Sequence, residues 1–204
     1  MTILIIARHG NTFNKNETPT RVGGRTDLPL VETGRDQAKK LGAWLKNKNF
    51  IPEVTYCSNL KRTKETAEIA IKELGHPQPT FPLEIFNEVD YGPDENQTEE
   101  KVIARIGKDS IQKWDEEAIV PGGWQFNPDE CINNWKNFGQ HILEDDQDTI
   151  LVVTSNGIAR FAPHLTNDFA NFRNNHSLKL STGALGLLKF EDNKWHIVDW
   201  NVKP

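Results

Sequence analysis

The residues predict an α/β fold, a mostly parallel central sheet with helices on both faces. Three observations carry that reading. Apolar runs at residues 3–7, 54–58 and 149–154 have the length and continuity of interior strands covered on both sides. Each run passes directly into polar residues and then into a helical pattern, and strand-helix alternation implies parallel neighbours with helices packed on the faces. At 204 residues the chain has the size of one domain that can bury a full core.

Taken in order, the first strand covers residues 3–7 and ends at Arg8-His9-Gly10. A polar loop follows, Asn14 to Arg25, closed by Gly23-Gly24. The first helix is read with Thr33 as N-cap and Asp36 three positions inside it. Ala38, Leu41, Gly42 and Leu45 then form its apolar stripe. The second strand ends in a capping Ser58. A helix starting at Asn59 buries Ala67, Ala70, Ile71 and Leu74 and stops at Gly75 before Pro77. Residues 81–126 break the rhythm, with a loop around Glu88, one helix over 99–119 and a turn at Pro121-Gly122-Gly123. Asn127 caps a third long helix, with Pro128 at its first position and Cys131, Trp135, Phe138 and Ile142 on one face. The third strand and a helix from Asn156 come next. Two strands, 180–190 and 195–200, close the chain through a turn at Glu191-Asp192-Asn193.

The formal charge of −5 argues against a nucleic-acid partner. No apolar stretch approaches the roughly 20 residues of a membrane span. Met1 leads directly into the first strand, which leaves no room for a cleavable signal. Cys57 and Cys131 are too few and too far apart for a disulfide framework or a zinc site, so a reduced cytoplasmic setting is the expectation.

Chemistry gathers at the strand ends. Arg8 and His9 follow the first strand, where open α/β sheets bind ligands. A cation there can hold an oxyanion while an imidazole attacks it. Arg62 lies in a first helical turn, whose free N–H groups favour an anion. Ser155-Asn156-Gly157 ends the third strand. Neighbouring strands would join these into one cationic pocket of phosphate size.

The same residues resemble the histidine phosphatase superfamily, with its phosphoglycerate-mutase-like fold. The likeness rests on Arg8-His9-Gly10-x-Thr12, on Gly24-Arg25-Thr26-Asp27-x-Pro29-Leu30, and on Thr33-Gly34. It continues in Ser58-Asn59-Leu60-x-Arg62-x-x-x-Thr66-Ala67 and in Glu88-x-Asp90-x-Gly92, in family order over nearly the whole chain. The resemblance implies the same α/β fold, in one domain over 1–204, with residues 81–126 as a small cap. It implies His9 as the phosphorylated nucleophile, Arg8 and Arg62 as phosphate clamps, and Glu88 as proton donor. Thr12, Ser155, Asn156, Arg21 and Arg25 are the expected phosphate- or substrate-binding set. Two departures stand out. Ser155-Asn156-Gly157 occupies the place where the family usually carries a second His, and Lys15 displaces an Asn that often follows the first motif. A Ser or Asn can donate to phosphate but brings no imidazolium charge.

The expected activity is hydrolysis of phosphomonoesters through phosphohistidine, with no cofactor and no metal, because two guanidiniums neutralise the phosphate. They also keep His9 neutral, and a backbone carbonyl fixes its other nitrogen. Three rivals stand beside this reading. One is mutase-type phosphoryl transfer, for which the chain is short. Another is a phospho-ligand binding protein whose catalysis is weakened by Ser155. The third is a phosphatase acting on phosphohistidine. The partner is accordingly a phosphorylated small molecule or a phosphoprotein, and the resemblance allows a homodimer.

Structural readings compete for single residues. Arg25 alternatively braces its own loop, and Asp90 alternatively takes the acid role of Glu88. Lys179 and His176 read as surface residues that could reach the site. Trp114, Trp124 and Phe126 read first as core. The acids from Asp94 to Glu117 read as solvated helix faces. His76, His141, His164 and His196 read as ordinary.

Overall fold

The structure is a computed structural model describing residues 1–204. In chain order its strands and helices are β1 (Thr2–Arg8), α1 (Glu32–Asn47), β2 (Val54–Cys57), α2 (Lys61–Leu74) and β3 (Thr80–Pro82). There follow α3 (Glu99–Ile106), α4 (Lys108–Glu117), α5 (Pro128–Glu144), β4 (Thr149–Thr154) and α6 (Asn156–Ala159). The last are α7 (Phe169–Asn175), β5 (Leu185–Glu191) and β6 (Lys194–Val202).

The strands form one six-stranded sheet in the order β3-β2-β4-β1-β5-β6. β1, β2, β3 and β4 run parallel, and β5 and β6 add an antiparallel ribbon beside β1. The three apolar runs are therefore adjacent, with Arg8 opposite Thr154 at the shared carboxyl edge. Leu41 and Leu45 of α1 and Ala67 and Leu74 of α2 bury one face of β1 and β4. Trp135 and Phe138 of α5, with Phe86, bury the other. Alternating side chains of one strand serve both cores: Leu4 and Ile6 face α5, while Ile5 and Ala7 face α1 and α2. None of the helices is long and apolar enough to cross a membrane.

Several boundaries differ from the sequence reading, and each has a tertiary cause. α1 begins at Glu32 behind Val31, with no side-chain cap. Thr33 lies inside the helix, where its hydroxyl accepts from Asn11 Nδ2 at 3.3 Å. The backbone N–H of Val31 also donates to the Asn11 carbonyl, so contact with the loop after β1 sets the helix start. α2 begins at Lys61 behind Leu60, and the Ser58 hydroxyl accepts from the Leu60 N–H at 3.2 Å instead of capping. Ile71 is half-buried rather than core. The single helix expected over 99–119 is two, broken at Gly107, whose φ of 80° no other residue adopts cheaply.

Asn127 does cap α5, accepting from the N–H groups of Asp129 and Glu130. The helix from Asn156 lasts four residues before the chain tightens into a 3-10 turn at Ala162–Thr166. β5 starts at Leu185, five residues after the point read from sequence, because the stretch before it turns into the site. It is joined to β6 through Asp192 and Asn193 at φ 52° and 60°. The edge strand β3 and the helix α7 were not foreseen.

Candidate active site

The carboxyl ends of β1, β4 and β2 meet around His9, which is 6% exposed. The His9 N–H donates to the Thr154 carbonyl at 3.0 Å, tying the end of β1 to β4. His9 Nδ1 lies 2.7 Å from the Gly10 carbonyl, a contact that requires the proton on Nδ1 and leaves the lone pair on Nε2. Arg62 Nε donates to that Nε2 at 3.2 Å. Burial holds the His9 pKa well below its ordinary value, and the charges of Arg62 and Arg8 push in the same direction. His9 is thus a neutral imidazole whose Nε2 lone pair accepts from Arg62.

Arg62 is fully buried. Its Nη1 donates to the Thr26 carbonyl at 2.8 Å and its Nη2 to the Gly23 carbonyl at 3.2 Å. Both acceptors belong to the loop between β1 and α1, so that loop holds the guanidinium flat against His9. The loop is itself held by Glu95. Its Oε1 accepts from the N–H groups of Gly23 and Arg25 and from the Thr26 hydroxyl, at 3.0, 3.1 and 2.7 Å. Its Oε2 accepts from the Tyr91 N–H at 3.1 Å. Thr66 links α2 to the first motif, accepting from the Gly10 N–H at 3.1 Å and donating to the Arg62 carbonyl at 2.7 Å.

Arg8 donates through Nη1 to the Leu180 carbonyl at 2.7 Å, while its Nε is buried with no partner. Burial lowers the pKa of both Arg8 and Arg62, yet guanidinium stays charged. Glu88 is 8% exposed. Its carboxyl accepts from the Val89 N–H at 2.9 Å and from the Gly157 N–H at 3.2 Å. A Cβ at position 157 would stand 2.2 Å from Glu88 Oε1, so Gly157 lets the carboxylate sit directly against this turn.

These residues line or border a cleft of about 620 Å³, within the range of small-molecule sites and larger than one phosphate. Arg8, His9, Thr12, Arg21, Glu88 and Asn156 all face it. Asn156 accepts from the Leu180 N–H at 2.9 Å through Oδ1, which leaves its amide NH₂ as a donor. Ser155 is buried behind this lining, its hydroxyl without a hydrogen-bond partner and not capping α6. Arg21 pairs with Glu99 at 2.6 Å and lies over the rings of Tyr91 and Trp124.

Arg25 is placed elsewhere. It bonds Asp90 at 2.9 Å and the Gly92 carbonyl at 2.8 Å and does not line the cleft, so its guanidinium braces two loops. Lys179 does reach the cleft, whereas His176 lines a separate cavity of about 340 Å³. Trp114 and Trp124 are buried edge-to-face at 5.2 Å, continuous with the main core, and half-buried Phe126 packs on Trp114. Among the acids read as solvated, Asp94 is buried and accepts from Arg105 and from Trp124 Nε1, and Glu95 is the loop clamp just described. Acid-base spacing suggested helix-surface pairs there, but their partners come from other segments.

One further cation went unread in the sequence. Arg160, 1% exposed, lines the cleft with its guanidinium 4.0 Å from the Trp114 ring centroid. It stands four residues after Asn156, one helical turn beyond the third strand end. That periodicity was the available signal.

Comparison with known proteins now decides the family. The sequence profile of the histidine phosphatase superfamily, branch 1, matches residues 4–203. The chain belongs to this superfamily. A 2,3-bisphosphoglycerate-dependent phosphoglycerate mutase of Methylobacterium sp. (strain 4-46) is 35% identical over 121 residues, 58% of this chain and 57% of that one. The chain thus spans about half the length of the mutase relatives it matches. An uncharacterized phosphatase of Bacillus subtilis (strain 168), PhoE, is 28% identical over 203 residues, 99% of this chain and 95% of that one. Among solved structures, a mycobacterial glucosyl-3-phosphoglycerate phosphatase shares the fold at a TM-score of 0.81, with 17% identity and full coverage of both chains. The histidine phosphatase fold is thereby shown, and the superfamily's relatives of this chain include both phosphatases and mutases.

Proposed function

We propose that this superfamily member is a phosphatase that hydrolyses phosphomonoesters through a phosphohistidine at His9. The observation that carries the reading is the state of His9, a buried neutral imidazole protonated on Nδ1, whose Nε2 lone pair is met by Arg62. On binding, the phosphate takes the place of that lone pair as the acceptor for Arg62 and for the unpartnered Nε of Arg8. Nε2 then attacks phosphorus while the ester P–O bond breaks, and protonated Glu88 gives its proton to the leaving alkoxide. In the second half, the Glu88 carboxylate takes a proton from water, the water oxygen attacks phosphorus, and the P–N bond breaks. The two guanidiniums supply the charge neutralisation throughout.

Full-length similarity to the phosphatase of Bacillus subtilis, against half-length similarity to the mutases, favours hydrolysis over return of the phosphoryl group. The resemblance puts a second His where this chain has Ser155, and loss of one such donor commonly costs ~10²–10³ in rate.

The test is hydrolysis of p-nitrophenyl phosphate in EDTA across pH 5 to 8, comparing wild type with His9→Ala. The expected result is activity that survives the chelator, disappears with His9, and leaves an acid-labile phosphoryl group on His9 by mass spectrometry. A label on another residue, or turnover by His9→Ala, would overturn the mechanism. Glu88→Gln should slow alkyl phosphates far more than the activated aryl ester, and equal slowing of both would remove Glu88 from the acid role.

A further inference from the structure

The positive charge in the cleft extends beyond what one phosphate uses. Arg8 and Arg62 flank His9, and outward from them Arg160, Arg21 and Lys179 line the same cleft. Arg160 is the informative one, because a fully buried cation normally has a hydrogen-bonded anion beside it. Its Nη1 donates to the Trp114 carbonyl and its Nε to the Asn156 carbonyl at 3.4 Å, both neutral acceptors. The nearest carboxylate to Nη2 is Asp115, at 3.8 Å, beyond hydrogen-bond distance and half-exposed. Burial depresses the pKa of Arg160, and the nearby carboxylates of Asp115 and Glu88 offset only part of that. Stacking on Trp114 fixes the plane of the guanidinium, so Nη2 presents a donor at a set place in the wall. Glu99 already occupies Arg21 at 2.6 Å, whereas the one carboxylate beside Arg160 is the more distant Asp115.

We infer that Arg160, with Lys179 at the rim, forms a second anion subsite, and that the substrate is a phosphomonoester bearing a second acidic group, a carboxylate or another phosphate. The first group sits on Arg8, Arg62 and His9, so this deepens the phosphatase reading and rests on it. The second group takes Nη2 of Arg160 in competition with Asp115. A neutral ester would leave that cation with only the distant Asp115 carboxylate, which makes Arg160 a selector of substrates as well as a contact.

The test compares propyl phosphate, 3-phosphooxypropionate and propane-1,3-diol bisphosphate on the full chain. Wild type should favour both acid-bearing esters in kcat/KM by about ten- to a hundredfold, the range of a charge-assisted hydrogen bond. The stronger of the two identifies carboxylate or phosphate as the second group. Arg160→Met should bring the ratio close to one. Equal rates on neutral and acidic esters in wild type would overturn the subsite. So would an Arg160→Met variant that loses both activities in parallel, because Arg160 would then be only a prop for Trp114. If Arg160→Met does not fold, Asp115→Asn at its half-exposed position decides, since freeing Nη2 should raise the ratio severalfold and an unchanged ratio refutes the inference. Calorimetry with His9→Ala separates the two readings. Tighter binding of the acidic esters, with no hydrolysis by wild type, would sink the phosphatase reading and keep the subsite.

Discussion

Glu95 offers the sharpest test of how the site is held. One carboxylate receives three N–H donors and one hydroxyl, from Gly23, Arg25, Thr26 and Tyr91. Gly23 is pressed so close that a Cβ there would lie 2.2 Å from Glu95 Oε2. Hydrogen bonds to a charged group are each worth roughly 1.5–3 kcal/mol when well buried. Glu95 is only half-buried, so water replaces part of what is lost, and Glu95→Ala should cost about 2–4 kcal/mol in total. Glu95→Gln keeps one carbonyl oxygen and turns an NH₂ toward donors, so an intermediate loss of about 1–2 kcal/mol is expected. The functional consequence runs through Arg62, whose two Nη groups rest on carbonyls of the same loop. Releasing the loop should weaken inorganic phosphate binding by about tenfold in Glu95→Ala. Urea unfolding with an unchanged m-value gives the stability, and calorimetry gives the phosphate affinity. A midpoint equal to wild type would refute the clamp. Lost stability with intact phosphate affinity would refute the link from the clamp to Arg62.

Three further outcomes follow from the same contacts. Gly34→Ala places a methyl 2.2 Å from the Asn11 carbonyl oxygen, forcing α1 away from the loop after His9. Stability should fall by about 2–3 kcal/mol with most of the activity, and unfolding within 0.5 kcal/mol of wild type would show the packing to be looser than drawn. Ser155→Ala removes a hydroxyl that bonds nothing in the free protein. Its stability should therefore match or slightly exceed wild type while turnover drops ~10-fold or more, and unchanged turnover would mean that Ser155 does not serve the phosphate. His164 is stacked on Phe169 at 3.7 Å, and burial lowers its pKa to about 4. Between the unfolded value of 6.5 and that folded value, the unfolded chain binds more protons. Stability is therefore full above pH 6.5 and is lost as pH falls toward 4, by on the order of 1–2 kcal/mol after allowing for partial exposure. His164→Phe should shrink the difference in unfolding free energy between pH 7 and pH 4.5, and an identical difference in both proteins would discount His164.

Much of this protein was legible before folding, wherever a property is local. The continuous apolar runs named β1, β2 and β4, because a strand buried on both faces needs no polar alternation. Asn127-Pro128 marked the start of α5 to the residue, since a cap and a first-turn proline act within one helical turn. Arg8, His9 and Arg62 were legible because strand ends and first turns put polar groups at the rim of the sheet, and the strand order then brought His9 and Arg62 within hydrogen-bond reach. Other features depended on partners far along the chain. The start of α1 is set by Asn11, the roles of Glu95 and Arg25 by loops some 65 to 72 residues away, and the value of Arg160 by Trp114, 46 residues earlier. Acids at helix spacing look the same in sequence whether they meet water or a buried amide. The residue types and strand ends were written in the sequence alone. Which charges found partners, and which were left facing the cleft, was decided only when distant segments packed, because pairing energy depends on separation and burial and neither is a property of local sequence.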